Sequence, residues 1–176
     1  LNTAPSVGDY NTCTMSDTEA CPLSSFTKDE TVVIQPGGET RCISEDSSPF
    51  GFQVVPGDSD KLMVYFQGGG ACWDELSTNL HFCTYDADPS DLVGIFDRTN
   101  EANAYKDYTV VQVLYCSGDV HGGDVVRPYT DRKGQPIEQR GLENTKATIA
   151  WIKAQQQAGL LDAELSSLFI GGCSAG

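Results

Sequence analysis

The stretch that decides the fold is Leu168-Phe169-Ile170-Gly171-Gly172-Cys173-Ser174-Ala175-Gly176, an apolar run leading directly into G-x-S-x-G. The run has strand length, and a G-x-S-x-G after a strand has the context of a nucleophile elbow. A serine on so tight a strand-to-helix turn is crowded on both sides. Small residues two before and two after it, here Gly172 and Gly176, let the backbone close without a clash. The turn pushes the hydroxyl out of the sheet, where a substrate reaches it. Ser174 is the candidate nucleophile, and Cys173 is expected to lie buried behind the elbow without a catalytic role.

Two upstream stretches repeat the pattern. Leu62-Met63-Val64-Tyr65-Phe66 is a continuous apolar run of the kind that suits a strand covered on both faces. It enters Gln67-Gly68-Gly69-Gly70-Ala71-Cys72-Trp73. Tyr108–Tyr115 is a third such strand and runs into Cys116-Ser117-Gly118-Asp119-Val120-His121-Gly122-Gly123-Asp124. In a parallel sheet the loops after strand C-termini converge on one edge, which is where α/β proteins place their ligand sites. Between the second and third runs, the polar and poorly periodic residues 74–107 predict loops with one or two short helices. Residues 125–140 predict a charged loop. Residues 142–158 predict a helix with Ala147, Ala150, Trp151 and Ala154 on one face, Ile149 and Ile152 beside them, and Gly159 as its stop. Strand, helix, strand is a right-handed crossover of an α/β sheet.

Nearer the start, 31–34 and 50–55 predict two short strands closed by Pro-Gly turns, an antiparallel meander. Residues 1–30 read as an irregular arm stapled by a disulfide. Residues 31–176 then form the N-terminal part of an α/β domain. It has a mostly parallel central sheet, an antiparallel meander in front, and an expected truncation after the elbow.

Composition limits the partners. The chain has 176 residues and a formal charge of −14. No basic patch exists to neutralise phosphates, so nucleic acid is excluded, as is docking on anionic membranes. No apolar run reaches membrane-spanning length. Seven cysteines without a C-x-x-C pair, and only two histidines, argue against a zinc cluster; no metal or cofactor is expected. The spacing suits disulfides and an oxidising, extracytoplasmic compartment. Cys13–Cys21 and Cys72–Cys83 are the expected local loops, and the odd count leaves one thiol over or one whose partner lies outside this chain.

A serine hydroxyl needs a base. The α/β-hydrolase chain order is Ser, then Asp or Glu, then His. His81 and His121 precede Ser174, so neither is expected as that base, and the Asp and His are expected beyond Gly176. The tetrahedral oxyanion needs backbone N–H donors, and these are expected from Gly70, Ala71 and Ala175. Trp73, Tyr115, Asp119 and His121 are candidate substrate-binding or pocket-bracing residues, with Asp124 beside them. His121-Gly122-Gly123-Asp124 falls one glycine short of the lipase His-Gly-Gly-Gly motif.

Lys61–Asp74, Tyr115–Asp124 and Gly172–Gly176, taken together, resemble the pectin acetylesterase/Notum family over residues 30–176. The resemblance implies a secreted α/β-hydrolase-like serine esterase acting on an acylated carbohydrate or other small ester. In the Notum branch it implies removal of a lipid from a protein. A catalytically inert glycan-binding module is the rival class. The −14 charge would repel a substrate rich in free galacturonate.

Overall fold

The computed structural model describes residues 10–176. Eight strands and two α-helices alternate along it: β1 (Asn11–Thr14), β2 (Val32–Gln35), β3 (Phe52–Val55), β4 (Asp58–Phe66), α1 (Glu75–Asn79), β5 (Tyr108–Val113), β6 (Val125–Thr130), β7 (Pro136–Gln139), α2 (Gly141–Gln157) and β8 (Ser167–Gly172). Six strands form one sheet in the order β1-β2-β3-β5-β4-β8, and β6 and β7 form a separate hairpin. The pairings β1–β2, β4–β5 and β4–β8 are parallel, whereas β2–β3 and β3–β5 are antiparallel. The sheet is therefore mixed and mostly parallel, in an α/β fold with few helices.

The antiparallel pair expected at the front forms, β2 with β3, but the chain does not continue it into β4. β3 and β4 are joined by Pro56-Gly57 yet do not pair, because β5 is inserted between them. The chain crosses the start of β5 in two residues. There Gly57 N–H donates to Thr109 Oγ1 (3.0 Å), and Asp58 N–H to the Asp107 carbonyl (2.8 Å). A Cβ on Gly57 would run into the backbone of Asp107 and Tyr108. Residues 1–9 of the expected arm lie outside the described residues; in the part that is described, 11–14 form an edge strand parallel to β2 where irregular chain was expected. The predicted charged loop at 125–140 is the β6–β7 hairpin. Its turn is organised by Asp131, whose carboxylate accepts the N–H groups of Lys133 (2.8 Å) and Gln135 (2.9 Å). Ile137 anchors it, fully buried against Ile43.

The apolar runs of β4 and β5 are explained by cover on both faces. Leu62, Val64, Val111 and Val113 join Phe52, Val54, Trp151 and Ile152 in the main core. Met63 and Val110 face the other way, with Leu92, Phe96, Tyr105 and Phe169 around them. Gln53 and Gln112 are opposite each other in the β3–β5 register and both buried. Ser90 satisfies them: it donates its N–H to Gln53 Oε1 (2.8 Å), and its hydroxyl accepts from Gln112 Nε2 (2.8 Å).

Helix α2 ends as expected. Gly159 (φ +70°) donates to Gln156 O and Leu160 to Gln155 O, the paired bonds of a left-handed glycine cap. Its buried face differs from the expected one. Asn144, Thr148, Trp151, Ile152 and Gln155 point inward, while Ile149, Ala150 and Ala154 are exposed. The layer beneath α2 includes backbone that needs polar partners. Trp151 Nε1–H donates to Cys21 O (3.0 Å), Leu23 N–H to Gln155 Oε1 (2.9 Å) and Arg41 N–H to Asn144 Oδ1 (3.0 Å). Satisfying buried backbone outranks alanine periodicity here.

Three disulfides close the fold: Cys13–Cys21, Cys72–Cys83 and Cys42–Cys116. The first two are the expected local loops. No helix among the described residues is long and apolar enough to cross a membrane.

Candidate active site

Phe66 of β4 is in register with Val113 of β5 and with Gly172 of β8. Three parallel strands therefore end level with one another, and the loops 67–73, 114–124 and 173–176 leave from one sheet edge. This is the convergence the sequence predicts.

Ser174 sits at φ +58° and is exposed. A non-glycine residue in this region is uncommon; it costs about 1–3 kcal/mol and persists only where its surroundings impose it. The surroundings do impose it. Gly176 N–H closes the turn on Cys173 O (3.0 Å). A Cβ on Gly172 would lie 2.5 Å from the Gly176 carbonyl carbon and 2.8 Å from Phe66 O, and one on Gly176 would run into Phe66 O. The glycines two before and two after Ser174 are thus both required by close approach. Cys173 is exposed and unpaired, not buried. It continues from β8, an edge strand whose Leu168 and Ile170 are also uncovered among the described residues.

The loop after β4 comes to the elbow. A Cβ on Gly68 would lie 2.9 Å from Ser174 Cβ and would strike Cys173 O. Gly70 (φ +77°) pairs with Cys83 as an antiparallel bridge. The Gly69 carbonyl accepts two bonds from Thr84, N–H at 2.8 Å and Oγ1–H at 3.2 Å. Ala71, expected as an oxyanion donor, gives its N–H to Phe82 O (3.1 Å). The bridge turns that amide inward, so it is not free in this structure. The N–H groups of Gly69, Gly70 and Ala175 have no partner among the described residues. Trp73 is 59% exposed and tilted against Phe82, with centroids 6.1 Å apart.

The loop after β5 is occupied with its own support. Tyr115 is fully buried, and its hydroxyl accepts Val120 N–H (3.0 Å). Asp119 takes Ser117 Oγ–H (2.6 Å) and Gly141 N–H (2.8 Å). It thus places a carboxylate on the N-terminus of α2, where negative charge is favoured. His121 is buried with its ring against Phe66 (5.2 Å) and Tyr115 (4.8 Å). Its Nε2–H donates to Gln67 O (2.8 Å), which fixes the tautomer. Burial holds its pKa below the usual imidazole value, against the opposing pulls of the Gln67 carbonyl and the Asp119 charge. Asp124 is half-exposed in an ion pair with Arg140.

Neither histidine hydrogen-bonds Ser174. His121 is engaged beneath the Gln67 carbonyl. His81 is exposed and stacked on Tyr85 at 4.5 Å, in a hollow of about 340 Å³ shared with Asp46, Asp86 and Asp131.

Sequence reasoning missed Gln67. Its N–H donates to Val113 O, its carbonyl receives His121, its Oε1 accepts Tyr115 N–H, and its Nε2 reaches Asp88 O and Ser90 Oγ. It ties the ends of β4 and β5 together. A glutamine between an apolar strand and a glycine run is the one signal that could have marked it. Among the described residues, the group with metal-ligand spacing is Cys13, Glu19 and Cys21. Its two sulfurs are joined in a disulfide, so the group fits no ion.

No family model matches the chain, and no curated protein does. Among solved structures, it is similar to the Wnt deacylase Notum from Drosophila, with a TM-score of 0.54 and 18% identity. The match covers 81% of this chain and 43% of that one. The chain thus spans less than half of that neighbour's length, and the likeness is one of fold alone, a mixed α/β fold with a mostly parallel sheet.

Proposed function

We propose that this chain carries the nucleophile and oxyanion donors of a serine carboxylic-ester hydrolase that deacetylates a carbohydrate. The observation that carries the reading is Ser174 at φ +58° on a parallel strand end, with the backbone of Gly68 packed against it. In the mechanism Ser174 Oγ attacks the ester carbonyl carbon and its proton passes to a base. The tetrahedral oxyanion is held by N–H groups of Gly69, Gly70 and Ala175. Collapse breaks the bond to the sugar oxygen, which leaves as the protonated alcohol, and water then releases the acyl group from Ser174. The reading requires a base and an orienting carboxylate, which neither His121, held on the Gln67 carbonyl, nor His81, stacked on Tyr85, supplies to Ser174. Tyr115, Asp119 and His121 serve as braces and not as substrate contacts. The three disulfides support a secreted protein.

The test is hydrolysis of p-nitrophenyl acetate by the natural full-length protein and by its Ser174→Ala variant. The expected loss is at least about 10³-fold, the scale on which a triad member acts. Undiminished turnover in the variant would sink the reading.

A second reading is deacylation of a larger, apolar acyl group. It draws on the fold neighbour and on Trp73, Leu76, Leu80 and Phe82, all exposed and close in sequence to Gly70. An acetyl-to-octanoyl ester series separates the two: a fall in kcat/KM with chain length keeps the first, a rise the second.

A further inference from the structure

We infer that Thr84 is a positioning residue for the oxyanion hole, holding the Gly69–Gly70 peptide so that the Gly70 N–H faces the substrate side. The inference rests on the esterase reading and deepens it. The Gly69–Gly70 peptide is trans, as are all peptides among the described residues, so its C=O and N–H point to opposite sides. Thr84 takes the carbonyl side with two donors, N–H (2.8 Å) and Oγ1–H (3.2 Å). The Gly70 N–H is thereby turned away from the 82–84 segment. It has no partner among the described residues, and Gly70 is exposed.

The neighbouring peptide is the reverse case. Its Ala71 N–H is held by Phe82 O at 3.1 Å and faces the anchor. Segment 82–84 thus sorts the loop's amides into one that is engaged and one that is presented. The Cys72–Cys83 disulfide prevents the two segments from separating. Gly69 is the residue that admits Thr84: a Cβ there would collide with Thr84 Oγ1 and the Tyr115 ring.

Without the hydroxyl, the Gly69 carbonyl keeps one of its two donors and the peptide gains freedom to tilt. Oxyanion stabilisation depends on donors preorganised before reaction. The loss therefore falls on the transition state and not on ester binding. It should be smaller than the 10²–10³-fold of deleting a donor outright.

The experiment uses the natural full-length protein with Thr84→Val and Thr84→Ser. Turnover of p-nitrophenyl acetate is read alongside inhibition by a trifluoromethyl ketone, whose adduct places an oxyanion in the hole. Thr84→Val is expected to lower kcat about tenfold, with KM within about twofold and the ketone's inhibition constant raised by the same factor as kcat falls. Thr84→Ser restores both. A Val variant with wild-type kcat and inhibition overturns the inference, as does a change confined to KM, or a Ser variant as impaired as Val. If Val does not fold, Thr84→Ala is read against Ser by the same criteria. Ser174→Ala separates the two levels. If it keeps turnover, or the wild type has none, the esterase reading fails and the inference with it. If it is dead while Thr84→Val is unaffected, only the inference fails.

Discussion

The loop after β4 and the loop after β5 leave the same sheet edge, one strand apart, and are built on opposite terms. From Tyr115 to His121 the second loop closes on itself. Tyr115 holds Val120, Ser117 holds Asp119, Asp119 holds the start of α2, and His121 reaches Gln67. The first loop leaves the N–H groups of Gly69 and Gly70 without partners among the described residues. Open backbone donors alone do not separate them, since the N–H groups of Gly118 and His121 in the second loop are also without partners among the described residues. The difference teaches that a glycine-rich end after a buried strand is not by itself a working loop. What separates the two is what stands beside Ser174: bare glycine backbone in the first loop, and side chains committed to bracing in the second.

This contrast can be broken by substitution. The largest effect is expected at Gly68. In Gly68→Ala the new Cβ meets Cys173 O and lies 2.9 Å from Ser174 Cβ, so the loop or the elbow must move. Overpacking of this kind costs about 1–3 kcal/mol. A displacement at the reacting centre costs on the order of 10²-fold in rate. Esterase kinetics of the full-length variant check this, and unchanged kcat would show that the two loops do not touch in solution.

Asp119→Ala comes next and should behave in the opposite sense. It removes the acceptor of Ser117 Oγ–H and Gly141 N–H, at about 1–3 kcal/mol for the donors left behind. The melting temperature should fall while KM and kcat of the folded protein stay within about threefold of wild type. A kinetic loss larger than the stability loss would move Asp119 from brace to participant.

The smallest effect is expected from pH. Burial depresses the His121 pKa, so the folded protein prefers the neutral ring. Its contribution to stability is complete above the unfolded pKa of about 6.5. It declines as pH falls below that value, because the unfolded state then binds the extra proton, with a slope of at most about 1.4 kcal/mol per pH unit. Thermal melts between about pH 7.5 and 5 should show this fall in the wild type. His121→Gln should be flatter over the same window. Asp58 titrates apart from it: its bonds to Lys61 and Lys28 hold its pKa below 3.8, so its contribution is lost only in more acid solution. Equal slopes in the wild type and His121→Gln would mean that the ring is not held neutral.

Much of this was legible from residue types alone. The tight turn at Ser174, the buried strands β4 and β5, two disulfides and the end of α2 each follow from local rules: close approach, two-sided burial, short loop closure, a left-handed glycine; β8, read by the same rule, is an edge strand with Leu168 and Ile170 exposed. What escaped was set by distant parts of the chain. Nothing near Pro56-Gly57 indicates that β5 will enter between β3 and β4. The inward face of α2 was decided by carbonyls and amides of residues 21–41. The β6–β7 hairpin hid behind its charges, since its one deep anchor is Ile137 against Ile43. The engaged Ala71 amide was invisible because it depends on Phe82, across a bridge that only the fold creates.

The bond between Cys42 and Cys116 spans 74 residues and encloses β3, β4, α1 and β5. A protease cutting the exposed Val93–Ile95 stretch inside that ring would leave Gly68–Gly70 on one polypeptide and Ser174 on another. The two pieces would still migrate as a single species until a reducing agent was added. Nicked material of this kind can be mistaken for intact protein on a non-reducing gel, with both halves of its site held in one molecule by a single covalent tie.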